Sequence, residues 1–364
     1  AIIDNVYTGR GSTPEQVVGA LERLADEHAG TTLLLMVNAE HEVEMVQAYR
    51  ERLTSRFVVP MATDDALRRA ADKEVLEDVC ADLGIATPET VAVAMDDVRA
   101  GRDLPLDLTY PVVLKPAVSA EHLLMGFPGK KKVYTADDRA GAQAVLQMLA
   151  EHGFSGTVLV QQLIPGDDTQ GRTVTCYRDR SGRVTLMASG QLLLGLHAPT
   201  MIGNSAAILT EPQPDLEDQA SAILEALDFT GFANFDVKVD PRDGRAQFLD
   251  LNPRIGRPNY YANVAGVNPA QAVVEDHLED GGPARLGRDV GLYSYVPWPV
   301  LRRYLSDPAL RRRVTAVRRR RGLVHPLAYS ADRNRRRLAY RWASAGTLTR
   351  DFARHYPRPT AIGF

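Results

Sequence analysis

One segment of this chain limits the fold more than any other. Phe232-Ala-Asn-Phe-Asp236-Val-Lys238-Val-Asp240 alternates apolar and polar residues; Pro241-Arg-Asp-Gly244 follows, and then Gln247-Phe-Leu-Asp250-Leu-Asn252-Pro-Arg254. Alternation with a period of two marks a half-buried strand, and a proline and a glycine between two such runs predict an antiparallel hairpin. The same period places Asp236 with Lys238 on one face of the first strand, and Asp250 with Asn252 on one face of the second. Two carboxylates and an amide oxygen can then converge. An all-oxygen set suits a hard cation, and Mg2+ held by few protein groups takes its remaining ligands from nucleotide phosphates and water. For either aspartate alone, a solvated surface hairpin is the plainer account.

The 364 residues exceed the usual size of one domain, so two or three domains sharing a cleft are expected. With 45% hydrophobic and 24% charged residues, neither disorder nor a fibrous architecture is called for. No window approaches the roughly 18 uninterrupted apolar residues of a membrane span. The first residues form no basic-then-apolar secretion signal, and a cytoplasmic protein is expected. Cys80 and Cys176 lie in helix-like and strand-like surroundings and read as buried free thiols.

Thr13, Pro14 and Gln16 form a helix start with a capping box, and Val17, Leu21, Leu24 and Ala25 recur at helical spacing. Thr32 to Val37 and Phe57 to Pro60 read as short buried strands around an amphipathic helix from about Glu40 to Leu53. These predict an α/β layer over residues 1–62, entered directly on the apolar run Ala1 to Ile3, so part of the unit is expected to be missing. Thr63-Asp64-Asp65 caps the next helix. Asp72-Lys73-Glu74 opens another, with Val75, Leu76, Val79, Cys80 and Leu83 on one face and Gly84 as its stop. Strands and helices then alternate to about Arg285, with a turn signal at Arg180-Ser-Gly182. Between Leu301 and Arg358 stand 17 arginines against 3 acidic residues, so the rest of a chain of net charge -3 is strongly acidic.

The order Asp236, Lys238, Pro-Arg-Asp-Gly turn, Asp250-x-Asn252-Pro-Arg254 resembles the metal-binding end of the ATP-grasp superfamily of carboxylate-amine ligases. Upstream segments fit the same resemblance in order. Tyr110-Pro-Val-Val-Leu-Lys115-Pro116 is an apolar strand ending in a lysine, and Asp72-Lys73 supplies a second lysine at a helix start. Ala117 to Lys132 corresponds to a loop that closes over phosphates; Gly126, Gly129 and Lys130 to Lys132 lie in it, though none is assigned a contact. Thr157 to Gly166 resembles the hinge strand between the two halves of the fold. The likeness covers about residues 62–280. In finer detail, Phe-Leu-Asp-Leu-Asn-Pro-Arg and the long C-terminal extension are similar to bacterial carboxylate-amine ligases related to D-aspartate ligase, which extend the lysine side chain of peptidoglycan precursors.

The resemblance implies an α/β and α+β multidomain protein. Residues 1–62 would form an N-terminal α/β (pre-ATP-grasp) domain, 63–165 the linker helices and first ATP-grasp subdomain, 166–285 the second subdomain with the metal site, and 286–364 a basic, mainly helical extension. It implies ATP and Mg2+, with Mn2+ as the alternative ion. Asp236, Asp250 and Asn252 would hold metal; Asp250 is shorter than the glutamate usual there but still offers two oxygens. Arg254 and Lys115 would be catalytic. Lys73, Lys115 and Lys238, the backbone of Gln161, Gln162, Leu163 and Ile164, and Asp168 at the ribose would hold the nucleotide; the glutamines replace a usual glutamate. Asn259, Tyr260 and Tyr261 either line an acceptor pocket or simply pack.

The implied substrates are a carboxylate, such as an amino acid, and an amine acceptor, such as a peptidoglycan precursor. Other readings stay open: a ligase of another amino acid or small metabolite, an ATP-binding scaffold without turnover, or a nucleic-acid-binding protein acting through Arg311 to Arg313 and Arg318 to Arg321. No nucleic-acid module surrounds those arginines. They also suit an anionic membrane at the inner face, or a helical cap salt-bridged to the acidic core. A dinucleotide-binding dehydrogenase is disfavoured, because no Gly-x-Gly-x-x-Gly follows an early strand. Oligomeric state is not readable.

Overall fold

The computed structural model describes residues 8–9, 11–117, 125–127, 130–199, 201–329, 334–360 and 362. Two sheets organise them. Strands β1 (Thr90–Ala94), β2 (Val112–Pro116), β3 (Tyr134–Ala136) and β4 (Thr157–Gln162) form an antiparallel sheet in the order β1-β4-β2-β3. The second sheet contains β5 (Gly171–Arg178), β6 (Val184–Gly195), β7 (Ser205–Thr210), β8 (Gly231–Val239), β9 (Ala246–Asn252), β10 (Arg285–Leu286) and β11 (Gly291–Ser294). Its order is β11-β7-β6-β5-β8-β9, with β10 paired in parallel to β6.

The predicted hairpin is β8–β9, antiparallel, with Asp236 opposite Asp250 and Asn234 opposite Asn252. Strict alternation would have put Phe248 and Asp250 on the same face. The register shifts beside Asp236, so Leu249 is an extra residue without a partner across the pair. Such a bulge reverses the facing of the residues beyond it. Phe248 thereby joins Ala233, Phe235 and Val237 in the core while Asp250 faces the cleft. Phe235 and Phe248 meet edge to face at 5.6 Å. Burying each ring contributes about 2–3 kcal/mol, which pins the hairpin's register.

Helices Asp64–Ala71, Lys73–Asp82 and Pro214–Ala226 cover the apolar back of the second sheet, and helix Arg139–Glu151 covers the first. Asp72 caps the helix bearing Lys73 by accepting from the Glu74 and Val75 N–H groups. That helix ends at Asp82. Leu83, expected on its buried face, is 41% exposed, because Gly84 turns the chain at φ +68° and Ile85 makes the apolar contact instead.

The N-terminal region departs further from the sequence expectation. Helix Pro14–Glu27 carries the predicted Thr13–Gln16 capping box. Thr32 to Val37 and Phe57 to Pro60 are not full strands. They meet at one parallel bridge, Leu34 to Val58, flanked by the bonds Leu35 N–H to Val58 O (2.9 Å) and Val58 N–H to Leu33 O (2.8 Å). Pro60 has no N–H to extend the ladder, and Met61 N–H turns back to Val59 O. The expected helix from Glu40 to Leu53 is two, Glu40–Ala48 and Arg50–Thr54, parted at Tyr49. Arg50 reaches Asp64 and the Ala62 carbonyl. Ala1 to Ile3 lies outside the described residues.

Beyond residue 285 the chain still builds the second sheet, since β11 pairs with β7. Helices Trp298–Tyr304, Pro308–Arg321 and Arg335–His355 follow, and Leu301, Tyr304, Leu310, Val314, Phe352 and Tyr356 pack against Leu193, Leu194 and Leu209 of that sheet. Several arginines have partners on the body: Arg313 pairs with Glu211, Arg321 lies 3.7 Å from Asp289, and Arg318 sits 4.7 Å above the Trp298 ring. Among the described residues, no helix is long and apolar enough to cross a membrane.

Candidate active site

The two sheets face each other across β2 and the β8–β9 hairpin. Lys115, near the end of β2, lays its ammonium across both Asp250 oxygens at 2.9 and 2.8 Å. Lys73 comes from the start of helix Lys73–Asp82, and its Nζ donates to the Leu249 carbonyl. The bulge makes that contact available, because Leu249 has no pairing partner in β8. Burial, the largest influence, pulls the Lys73 ammonium below the usual lysine range, while Asp250 counters it.

Asp236 and Asp250 respond oppositely to the same surroundings. Burial, then the charge of Asp250, pushes the Asp236 carboxyl up to about 6. Burial would raise Asp250 too, but Lys115, Lys73 and Lys132 together hold it below the ordinary carboxylate range. Asn252 donates to Asp236 through Nδ2 at 3.0 Å, and its Oδ1 accepts from Arg254 at 3.2 Å. Arg254 also reaches Glu40 at 3.2 Å, from the first turn of helix Glu40–Ala48. Its Nε is buried and has no hydrogen-bond partner among the described residues.

These residues fit a divalent cation. Two opposed carboxylates, one pushed toward its neutral form by burial and then by the charge of the other, form a site that positive charge would relieve. Asn252 turns its nitrogen toward Asp236, so a half-turn of the amide would be needed to offer the oxygen. Among the described residues, no group of three or more His, Cys, Asp or Glu side chains is gathered for a metal. The cation would therefore rest on two carboxylates, an amide and ligands from outside the protein.

The hinge strand differs from its expectation in detail. Gln161 is buried inside β4, paired with Thr90 and Val113, and its Nε2 donates to Thr90 Oγ1 at 3.0 Å. The Gln162 and Leu163 N–H groups donate to Glu89 O (2.8 Å) and Pro111 O (2.9 Å). Those donors are spent on the sheet. Of the four residues, Ile164 has a backbone N–H without a partner among the described residues. Asp168 begins a short 3-10 turn, and its Oδ2 accepts from the Gly195 N–H at 2.8 Å and from His197 Nε2 at 2.9 Å. Lys238 shares a strand face with Asp236, yet the charges acting on it are Asp168, Asp167 and Asp240; burial, the larger influence, lowers its pKa. Lys238 therefore stands on the strand face of Asp236 but in the field of Asp168.

Residues 72–272, more than half the chain, match the family model described as carbamoyl-phosphate synthase L chain, ATP binding domain. The chain belongs to this ATP-grasp family. D-aspartate ligase of Enterococcus faecium (strain Aus0004) is 32% identical over 262 residues, covering 71% of this chain and 61% of that protein. The chain thus spans under two thirds of that relative's length. Among solved structures, the biotin carboxylase-βγ-ATP complex from Campylobacter jejuni superposes with a TM-score of 0.54 at 15% identity, over 74% of this chain and 59% of that one. The L-amino acid ligase from Bacillus licheniformis gives 0.50 at 16% identity, over 72% and 60%. At such identities these two speak for the ATP-grasp fold alone.

Three residues of this ATP-grasp chain escaped the sequence reading. Lys132 lies in the loop in which the sequence assigned no contact. It is half-buried, donates to Ile202 O at 3.1 Å, and lies within electrostatic reach of Glu40, Arg257 and Asp236; burial chiefly lowers its pKa. Lys130 turns back to the Met125 carbonyl. Gly129 lies outside the described residues. Glu40 and His197 carried no motif and reach the site only through the fold. Tyr261 packs rather than lining a pocket: it is fully buried, and its hydroxyl meets Thr175 Oγ1 at 2.8 Å and Ala188 O at 3.0 Å. Asn259 holds the Gly256 carbonyl.

Proposed function

We propose that this protein is an ATP-dependent carboxylate-amine ligase that forms an amide through an acyl phosphate. The observation that carries the reading is the gathering of Lys73, Lys115, Lys132 and Arg254 around the opposed pair Asp236 and Asp250. A cluster of cations over two carboxylates is suited to nucleotide phosphates and the charge that moves among them.

In this reading a substrate carboxylate oxygen attacks the terminal phosphorus of ATP as the bond to the ADP oxygen breaks. The amine nitrogen then attacks the acyl carbon, phosphate leaves, and nitrogen loses a proton. Mg2+ or Mn2+, held by Asp236, Asp250 and Asn252, would supply charge neutralisation at the phosphates. Lys115 and Lys73 would add positive charge from a strand and from a helix start. Arg254, with one unmatched donor, is suited to bind the substrate carboxylate or the phosphoryl group passing to it. Holding both reactants in line accounts for most of the catalysis expected here. The unmatched Ile164 N–H is suited to the adenine edge, and Asp168 to the ribose hydroxyls.

The substrates proposed are D-aspartate and the lysine amine of a peptidoglycan precursor, on the strength of the 32% identity to D-aspartate ligase. The arginine-rich helices would suit an enzyme working at the inner face of an anionic membrane, where its acceptor is anchored. The test is ADP release with Mg-ATP across D- and L-amino acids, with and without a wall-precursor peptide. Stimulation by one amino acid and amine together is expected. Tight nucleotide binding without turnover for any pair would favour a scaffold, and no ATP binding would overturn the reading.

A further inference from the structure

The C-terminal segment touches the nucleotide half of the site through a ladder of rings. His197, just past β6, is 8% exposed and lies 2.9 Å from Asp168 Oδ2. Its ring stacks on Tyr356 at 3.6 Å with an interplanar angle of 6°. Tyr356 in turn stacks against Tyr304 at 5.3 Å and 14°, and the Tyr304 hydroxyl donates to the Tyr356 carbonyl. Phe352 closes the edge, 6.0 Å from His197 and 5.3 Å from Tyr304. A stacked imidazole cannot rotate freely, so the direction of its Nε2 is fixed by a residue 159 positions away.

We propose that His197 and Tyr356 are positioning residues for nucleotide binding, which makes the C-terminal extension part of the nucleotide site. The inference rests on the reading of Asp168 as the ribose acid. Asp168 Oδ2 is held by two donors, Gly195 N–H and His197, while Oδ1 has no hydrogen-bond partner among the described residues. Gly195 permits this closeness, since a Cβ there would come within 3.4 Å of both carboxylate oxygens. With one oxygen anchored from two directions, the other is aimed. A carboxylate preset in one rotamer loses little entropy on accepting from a hydroxyl. The same rings explain why a basic tail whose arginines pair elsewhere packs so closely here: its aromatic residues, and not its charges, reach the site.

Discrimination between ATP and 2′-deoxy-ATP tests this in the full chain, read as the ratio of KM values or of dissociation constants. Loss of a charge-assisted hydrogen bond to the ribose is expected to leave the wild type preferring ATP by about tenfold. Asp168→Asn should erase most of that preference. His197→Leu should reduce it at least threefold in the same ratio, and Tyr356→Leu should follow with a smaller reduction. His197→Gln, which retains a donor, and Tyr356→Phe, which retains the stack, should keep most of the preference. General damage to folding would lower activity with both nucleotides alike and leave the ratio unmoved. If Asp168→Asn erases the preference while His197→Leu and Tyr356→Leu keep it, the positioning role is overturned and the ribose reading stands. If Asp168→Asn leaves the preference intact, the ribose reading fails and this inference fails with it.

Discussion

The proposed phosphate side and the proposed ribose side of the cleft are built in opposite ways. On the proposed phosphate side, Asp236, Asp250, Asn252 and Arg254 lie within one hairpin and its exit, while Lys73, Lys115, Lys132 and Glu40 arrive from elsewhere. On the ribose side, Asp168 is held by β6 and by His197, which a C-terminal tyrosine pins. The first is dense in charge and local in sequence; the second is held by packing and drawn from three distant segments. The contrast suggests that substitutions on the phosphate side should act on chemistry, and those on the ribose side on nucleotide affinity.

The largest effect is expected from Asp250→Ala. It removes the carboxylate that Lys115 spans and leaves Lys115, Lys73 and Lys132 mutually repelling around a gap. ADP release under saturating Mg-ATP should fall on the order of 10³-fold or more. A loss confined to KM for ATP would break the comparison, because it would make this side a binding site like the other.

Lys115→Ala should come next, with kcat down about 10²-fold in the same assay. The substitution frees Asp250 from its bidentate partner, so apo stability should fall as well, which thermal unfolding without nucleotide would measure. Unchanged kcat would sink the phosphate role of Lys115. Lys73→Ala is expected to cost about tenfold in kcat/KM for ATP, since Lys73 donates to a carbonyl and meets Asp250 only through its field. An effect larger than that of Lys115→Ala would reverse their ranks.

The same contrast explains how legible each side was in the sequence. Asp236, Lys238, Asp250 and Asn252 could be placed on strand faces because a hairpin's period and turn are local properties. The bulge at Leu249 could not be foreseen; it arises because Phe248 and Asp250 compete for one face, and burying the ring wins while the bulge returns the carboxylate to the cleft. At the hinge, Gln162 and Leu163 looked available to a nucleotide. Their N–H groups are taken by Glu89 and Pro111, neighbours decided by strand order and invisible to spacing. Lys132 was assigned no contact because burial of a lysine depends on what folds over it. In the N-terminal region, apolar runs at Thr32 to Val37 and Phe57 to Pro60 were correctly apolar, yet their pairing stops at one bridge. Apolar content decides burial, whereas a ladder also needs donors in register, and Pro60 has none to give.

The smallest predicted effect tests where the N-terminal region joins this contrast. Glu40 belongs to neither side by sequence, yet its carboxylate stands 3.2 Å from Arg254 and within the field that acts on Lys132. With its side chain 56% exposed, the pair with Arg254 should be worth about 0.2–1 kcal/mol. A substrate carboxylate approaching Arg254 would have to share that guanidinium with Glu40. Glu40→Gln removes the competing charge while keeping the size, so KM for the carboxylate substrate should fall by roughly two- to fivefold, with kcat little changed. Steady-state kinetics at saturating Mg-ATP would measure it. A rise in KM would mean that Glu40 attracts the ammonium of an amino-acid substrate. In that event the N-terminal region would select the substrate, and the phosphate side would no longer be the work of one hairpin and its lysines.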